Sequence, residues 1–299
     1  MLEVFLNKIL PVFALFALGF IMGRNKATSG DEARALNRFG LLVLQPALIL
    51  TMLAGYDFTQ MHWGAIGTYL LCEVVVFGLS FSLARYGFQK SIPEAALLSM
   101  TVIFVNSLLY VGTIAVLIYG EAGAAPILAI VALDTAITFA VMIIAMELLT
   151  GTDGLNRAGR RILRNPILIA IVGGVALNLA GILLPEGVLT FTRITGAAAV
   201  PVTLFALGVV LSHGSLIPDR ASAGFVALKL LLFPLVVAGA LALFHTGGDW
   251  TDRIIMNSAG PSGAMAFSLA LMYGVRTETI AQVILWTGFL SLIPLTFLA

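Results

Sequence analysis

Charge is scarce in this chain: only 10% of its 299 residues are Asp, Glu, Lys or Arg. What charge there is nearly cancels, 16 basic against 15 acidic, so a basic surface for nucleic acid has nothing to build on. Cysteine is rarer still. The one cysteine, Cys72, lies in an apolar run, which excludes an internal disulfide framework and a cysteine metal site and leaves a small buried hydrophobe. The three histidines, His62, His213 and His245, sit near the ends of apolar segments with no ligand partner at helical spacing. An interfacial role suits them better than metal binding. No His or acidic residue is placed to activate Ser262, so no hydrolase nucleophile is readable. No metal or cofactor is implied.

What fills the chain instead is apolar: 60% of the residues are hydrophobic and the mean hydropathy is +1.06. A soluble domain of this length cannot hide that much apolar surface, so the lipid bilayer must be the solvent. Segments of roughly spanning length fall at about 2–22, 38–54, 62–85, 94–119 and 125–149. A second set covers about 166–184, 196–212, 222–245, 253–274 and 277–298. The first run begins almost at Met1 and carries Lys8. It has neither a basic leader nor a small-x-small cleavage site, so it reads as a retained span.

Three landmarks recur at one offset of 155 residues: Pro11 with Pro166, Pro46 with Pro201, and Asn106-Ser107 with Pro261-Ser262. Helix breakers inside apolar segments are costly, and their repetition argues for a duplicated unit. Five spans per unit is an odd number, so the second copy enters the membrane upside down. The expected fold is an all-α polytopic membrane protein of ten transmembrane helices in two inverted repeats, 1–149 and 166–299, joined by a linker at 150–165. Inverted repeats with interrupted helices are the architecture of secondary transporters. Basic residues set the orientation. Twelve (Arg24, Lys26, Arg34, Arg38, Arg85, Lys90, Arg157, Arg160, Arg161, Arg164, Arg220 and Arg276) fall in odd connections, and only Arg193 and Arg253 fall in even ones. The odd connections are therefore expected in the cytoplasm, the linker included, with both termini outside. Ser29 with Glu32 three residues on is a capping box, predicting a short helix at the surface before the second span.

The fourth and ninth spans hold the candidate site. Asn106-Ser107 interrupts one, and Gly260-Pro261-Ser262-Gly263 interrupts the other. Proline lacks an amide hydrogen and glycine is loosely held, so neither stretch sustains a regular helix. Open backbone groups cost several kcal/mol each in hydrocarbon, so such breaks persist only against protein or a wet cavity. Two facing breaks would cross near the membrane centre. Their half-helix N-termini would attract an anion, and their free carbonyls a cation or a protonated group. Asn106 is weighed as a ligand of that site against a plain interhelical hydrogen bond. Asp134, deep in the fifth span, either binds a coupling proton or cation or caps the broken span beside it. Glu73 and Lys229 occupy nearly matching repeat positions; they either pair, or Lys229 snorkels, and structure is the better reading for both. Gln45-Pro46 and Pro201 kink the short second and seventh spans, and either line the cavity or shape a rigid face behind it.

These residues resemble the auxin efflux carrier family, especially its bacterial malonate and organic-acid permease-like members. The resemblance covers nearly the whole chain. It rests on Ala35-Leu36-Asn37-Arg38-Phe39 leading to Gln45-Pro46-Ala47-Leu48, and on Ala198-Ala199-Val200-Pro201 followed by Leu204-Phe205-Ala206-Leu207-Gly208. Asn106 with Gly112, and Ala259-Gly260-Pro261 ending at Tyr273-Gly274, complete it. Ser262-Gly263, in place of bulkier residues, departs from the common bacterial pattern. The resemblance implies a scaffold of spans one, two, six and seven. It also implies a transport domain whose crossed spans four and nine hold a small carboxylate at Asn106 and the Pro261 region, to which the reading of the breaks adds Ser107, Ser262 and Gly263. An elevator-like movement and a homodimer are implied as well. The expected function is a secondary transporter of a small organic anion in the inner membrane, not an enzyme, possible coupling being to a proton or to sodium. A sodium-coupled symporter of the bile-acid carrier type is the alternative. A membrane-embedded receptor or enzyme is the third class, and no catalytic set supports it.

Overall fold

A computed structural model describes residues 10–58, 61–151, 155–213, 217–244 and 248–298; Lys8 and His245 lie outside them. Among the described residues the regular structure is helical, joined by short turns and loops, with one isolated β-bridge. Helix α1 spans Leu10–Arg24, α2 Gly30–Gly55, α3 Trp63–Gly87 and α4 Ile92–Ile103. After a break come α5 (Gly112–Gly123, opened by a widened turn at Ser107–Val111) and α6 (Ala125–Thr150). Helix α7 (Leu155–Arg164) lies in the linker, followed by α8 (Pro166–Leu179), α9 (Glu186–Ser212) and α10 (Arg220–Leu243). A second break separates α11 (Asp249–Ser258) from α12 (Met265–Met272), and α13 (Glu278–Leu295) follows.

Six of these, α2, α3, α6, α9, α10 and α13, are long and apolar enough to cross a membrane, with hydropathies from 1.4 to 2.5. Shorter apolar helices include Ile92–Ile103 and Pro166–Leu179. Large apolar side chains such as Val74 and Val172 point outward at 69% exposure, which suits lipid and not water.

Two expectations about the second and seventh spans need correction. They are not short: α2 begins at Gly30 and α9 at Glu186, because polar first turns hide their starts. The capping box is present, with Ser29 Oγ accepting from the Glu32 amide and the Glu32 carboxylate accepting from the Ser29 amide. The helix it starts is no separate surface element; it runs on to Gly55. Pro46 cannot bond to the Leu42 carbonyl, and a widened turn over Gly40–Leu44 absorbs the misfit without ending the helix. Pro234 in α10 follows a widened turn over Leu228–Leu232 for the same reason. Pro201 follows an interruption at Ala198 in α9.

Helices α1, α2, α8 and α9 pack on one another, and glycines set how closely. A Cβ on Gly208 would fall on the Phe16 carbonyl, and one on Gly19 would fall on that of Phe205. The remaining helices of both halves form a second group. In it α3 lies between α4 and α10, and α11 contacts α6 and α10.

Candidate functional site

The two interruptions meet. Val105 and Ser262 form the antiparallel bridge, the Asn106 amide donates to the Pro261 carbonyl at 2.8 Å, and the Gly263 amide donates to the Phe104 carbonyl at 2.8 Å. Each broken helix thereby finds partners for groups it cannot satisfy alone. The Ser262 hydroxyl donates to the Thr101 carbonyl at 2.6 Å, near the C-terminal end of α4, and the Ser262 amide donates to Thr287 Oγ1 at 3.1 Å. At the C-terminal end of α11 the Ser258 carbonyl accepts from Lys229 Nζ at 3.0 Å. The close approach depends on missing side chains. A Cβ at Gly260 would overlap Val111, and one at Gly263 would come within 2.8 Å of Phe104 Cδ1.

The opposite ends are left open. No side chain caps the first amides of α12, and none caps the turn that starts at Ser107. Ser107, Ala264 and Met265 all line a cavity with about 90 Å³ open to the centres of water-sized molecules. That is room for a few waters or one small ligand. Its other walls include Gln45 and Met52 of α2, Asp134 and Thr135 of α6, and Thr203 of α9. The cavity therefore lies at the seam between the two groups of helices. Gln45, Ser107 and Asp134 are 1%, 3% and 2% exposed. Yet Gln45 Oε1 and Ser107 Oγ lack a hydrogen-bond partner among the described residues, and the Asp134 carboxyl meets only the Glu73 carboxyl, a pair that bonds when one of the two holds a proton. Buried polar atoms without partners are rare, because each forfeits its hydration. Two side chains with this defect on one cavity, beside a carboxyl pair that needs a proton, mark a place where a ligand or water belongs.

Behind Asp134 stands a charged cluster. Glu73 and Lys229 both face it electrostatically, with Tyr69 beside them. Thr138 Oγ1 donates to Glu73 Oε2 at 3.0 Å. Lys229 is fully buried, its ammonium 4.6 Å from the Phe233 ring centroid and bonded to Ser258. It neither snorkels nor closes an ion pair with Glu73; the ion pairs among the described residues are Arg34–Asp31 and Lys90–Glu94. Asp134 makes no capping bond either; it opens a widened turn over Asp134–Phe139.

The predicted residues thus divide. Gln45, Asn106, Ser107, Gly263 and Asp134 share the cavity. Asn106 also lines a smaller one on the far side of the bridge, with Pro261, Ser262 and Tyr110. Pro46 and Pro201 are not among the residues lining either cavity; they shape α2 and α9, whose Gln45, Ala199 and Val200 do. Sequence reasoning missed Thr135, Thr203, Phe104 and Phe139 on the walls. Thr135 was signalled only by its neighbour Asp134. His62 accepts from the Ala65 amide at the start of α3, and His213 lies 2.9 Å from the Val209 carbonyl, both local structural roles. Cys72 is buried, as read.

The chain is similar over almost its full length to proteins that carry the name of transporter. It is 27% identical over 300 residues to a protein of Rhizobium meliloti (strain 1021) named "Putative malonate transporter", covering 96% of this chain and 92% of that one. It is 25% identical over 309 residues to the uncharacterized transporter YfdV of Escherichia coli (strain K12), covering 99% and 97%. An uncharacterized transporter of Methanothermobacter thermautotrophicus is 27% identical over 297 residues, covering 96% and 95%. Residues 154–299 match the model of a family described as membrane transport protein. The chain thus resembles that transporter family, the auxin efflux carrier family to which its interrupted helices point.

Proposed function

We propose that this protein is a secondary transporter of the cytoplasmic membrane that moves a small organic anion, such as a carboxylate, by alternating access. The observation that carries the reading is the cavity where the two broken helices meet: uncapped helix N-termini on one wall, unpartnered Gln45 and Ser107 beside them, and the Asp134 carboxyl on the wall. Helix N-termini favour negative charge, and interrupted helices place such ends at mid-membrane depth without a fixed cation. In this reading the substrate carboxylate sits against the amides at Ser107 and Ala264–Met265, with the Asn106 side chain beside it and Pro261, Ser262 and Gly263 holding the crossing. Asp134 takes the coupling ion, a proton or sodium.

The ten-span, doubly inverted arrangement belongs to the same proposal, with repeats at 1–149 and 166–299, a cytoplasmic linker at 150–165 and both termini outside. Supporting it, α2 and α9, α3 and α10, and α4 and α11 begin at positions close to the offset of the sequence landmarks. The group of α1, α2, α8 and α9 would be the scaffold against which the rest moves, and the homodimer implied by the resemblance would form on it. The name of the Rhizobium relative favours a carboxylate substrate. The bile-acid carrier alternative draws no support from these relatives.

Uptake of labelled malonate into proteoliposomes tests the reading. Asn106→Ala is expected to insert and fold but to lose most transport; undiminished flux would remove Asn106 from the site.

A further inference from the structure

We propose that the seam where the charged start of α2 meets the end of α12 binds an acidic phospholipid, its phosphate on Arg34 and Arg38 and its acyl chains on the apolar walls beside them. This site is separate from the crossing of the broken helices and does not depend on what the protein carries.

Helix α2 passes from headgroup to hydrocarbon character within about three turns. Asp31, Glu32, Arg34 and Arg38 precede Phe39, and no charged residue follows up to Gly55. Phe39, Leu42 and Val43 are exposed at 49%, 41% and 39%. In a membrane such side chains meet lipid, so Arg38 and Arg34, one and two turns before Leu42, lie at headgroup depth. Four residues apart, the two arginines share one helix face with about 5–6 Å between their Cβ atoms, and both can reach a single phosphate.

The same face borders a cavity with about 430 Å³ open to the centres of water-sized molecules, several times the volume at the crossing. Arg34 and Arg38 line it together with Leu41, Leu42, Leu271 and Met272, and no carboxylate does among the described residues. Leu42 and Met272 are 41% and 40% exposed, so the cavity opens toward the lipid. The Arg38 side chain makes no hydrogen bond or ion pair among the described residues. Arg34 holds Asp31 at 3.0 Å, with the two side chains 62% and 91% exposed. A pair so exposed contributes little and yields to a phosphate. Two available cations beside an apolar hollow are complementary to an anion that carries its own hydrocarbon. A soluble anion would satisfy the arginines and leave the apolar walls bare. A zwitterionic lipid would bring an ammonium against two guanidinium groups, with no carboxylate on the wall to receive it.

The seam also joins the two groups of helices. Beside the cavity the Ser268 hydroxyl of α12 donates to Asn37 Oδ1 of α2 at 2.8 Å, and both residues are buried. A lipid seated on both helices favours the arrangement in which they lie together, because its site exists only there.

Native mass spectrometry and thermal melting of the full chain test this, in detergent, after delipidation and incubation with equal amounts of phosphatidylglycerol and phosphatidylcholine. Phosphatidylglycerol is expected to be retained at least about tenfold more than phosphatidylcholine and to raise the melting temperature. Arg34→Gln/Arg38→Gln should lose both the preference and the shift; the two side chains are exposed, so the fold is expected to persist. Arg220→Gln/Arg276→Gln, the same change of charge at exposed positions off the cavity, should keep both. Leu271→Trp, which fills the cavity and leaves the arginines in place, should lose both. Equal retention of the two lipids by the unaltered protein overturns the proposal. So does a preference that survives in Arg34→Gln/Arg38→Gln or in folded Leu271→Trp, or one that Arg220→Gln/Arg276→Gln loses equally. Displacement of phosphatidylglycerol by an excess of glycerol phosphate or malonate would make the cavity a place for soluble anions and overturn the lipid assignment as well.

Discussion

Replacing Gly263 by alanine adds one methyl group at the narrowest point of the crossing. An added Cβ there would lie 2.8 Å from Phe104 Cδ1 and 3.2 Å from the Phe104 carbonyl oxygen, both inside ordinary contact distance. The ring has little room to retreat, because Phe104 packs against Phe139 with centroids 5.9 Å apart and is itself 7% exposed. Strain is therefore expected to pass to the backbone and stretch the Gly263-to-Phe104 hydrogen bond, now 2.8 Å. Overpacking of this kind costs about 1–3 kcal/mol, and loosening a buried hydrogen bond adds roughly 1 kcal/mol. Thermal unfolding in detergent, read beside malonate uptake in proteoliposomes, is the assay. Gly239→Ala is the control, since nothing lies within 4 Å of a Cβ there. Gly263→Ala should melt earlier than the control and transport less. A Gly263→Ala protein as stable and as active as Gly239→Ala would refute the claim that glycine is required by the close approach of the two breaks.

Other expectations follow from single contacts. Lys229→Met should destabilise by about 1–3 kcal/mol, because it leaves the buried Ser258 carbonyl without its donor and takes the cation away from Glu73 and Asp134. Adding Glu73→Gln should recover part of the loss, and a melting curve indifferent to either change would contradict the cluster. Ser262→Ala removes the bond to the Thr101 carbonyl and should cost about 0.5–1.5 kcal/mol of stability, with substrate affinity nearly unchanged because that hydroxyl is already engaged. A large loss of affinity with normal melting would place Ser262 on the substrate instead. Asn165→Ala removes the cap whose Oδ1 accepts from the Ile167 and Leu168 amides and should lower stability by about 1 kcal/mol while leaving transport per folded molecule intact.

Residues that break helices made the centre of the fold legible in the sequence. Asn106, Gly260, Pro261 and Gly263 have few roles inside an apolar segment, and they lie where the two interruptions join. Asp134 was legible because a carboxylate in hydrocarbon is costly, and it lines the cavity beside them. Partnerships across the fold were not legible. Periodicity places Ser262 at the break but says nothing of Thr101 or Thr287, which fasten it away from the main cavity. Lys229 looked free to snorkel because its reach to Ser258 depends on how α10 and α11 pack. The true lengths of α2 and α9 were hidden for a different reason: Asp31, Glu32 and Arg34 in one, and Glu186 and Arg193 in the other, read as connection, although a helix carries charge readily where it leaves the apolar layer. Helix α7 was read only as a polar link, since its arginines mask a regular helix.

Chemical protection at Ser107 tests the central claim most directly. In a Cys72→Ser background the only thiol in Ser107→Cys would sit on the cavity wall between the uncapped turn and Asp134. Its rate of labelling by a small thiol reagent would be measured with and without saturating transported anion, and Val74→Cys on the outer face of α3 would serve as the reference. Bound anion is expected to slow labelling at position 107 by about tenfold or more and to leave position 74 untouched, as for a site occupied nine parts in ten or better. Equal labelling at position 107 with and without an anion that the same variant still transports would mean that the substrate passes elsewhere.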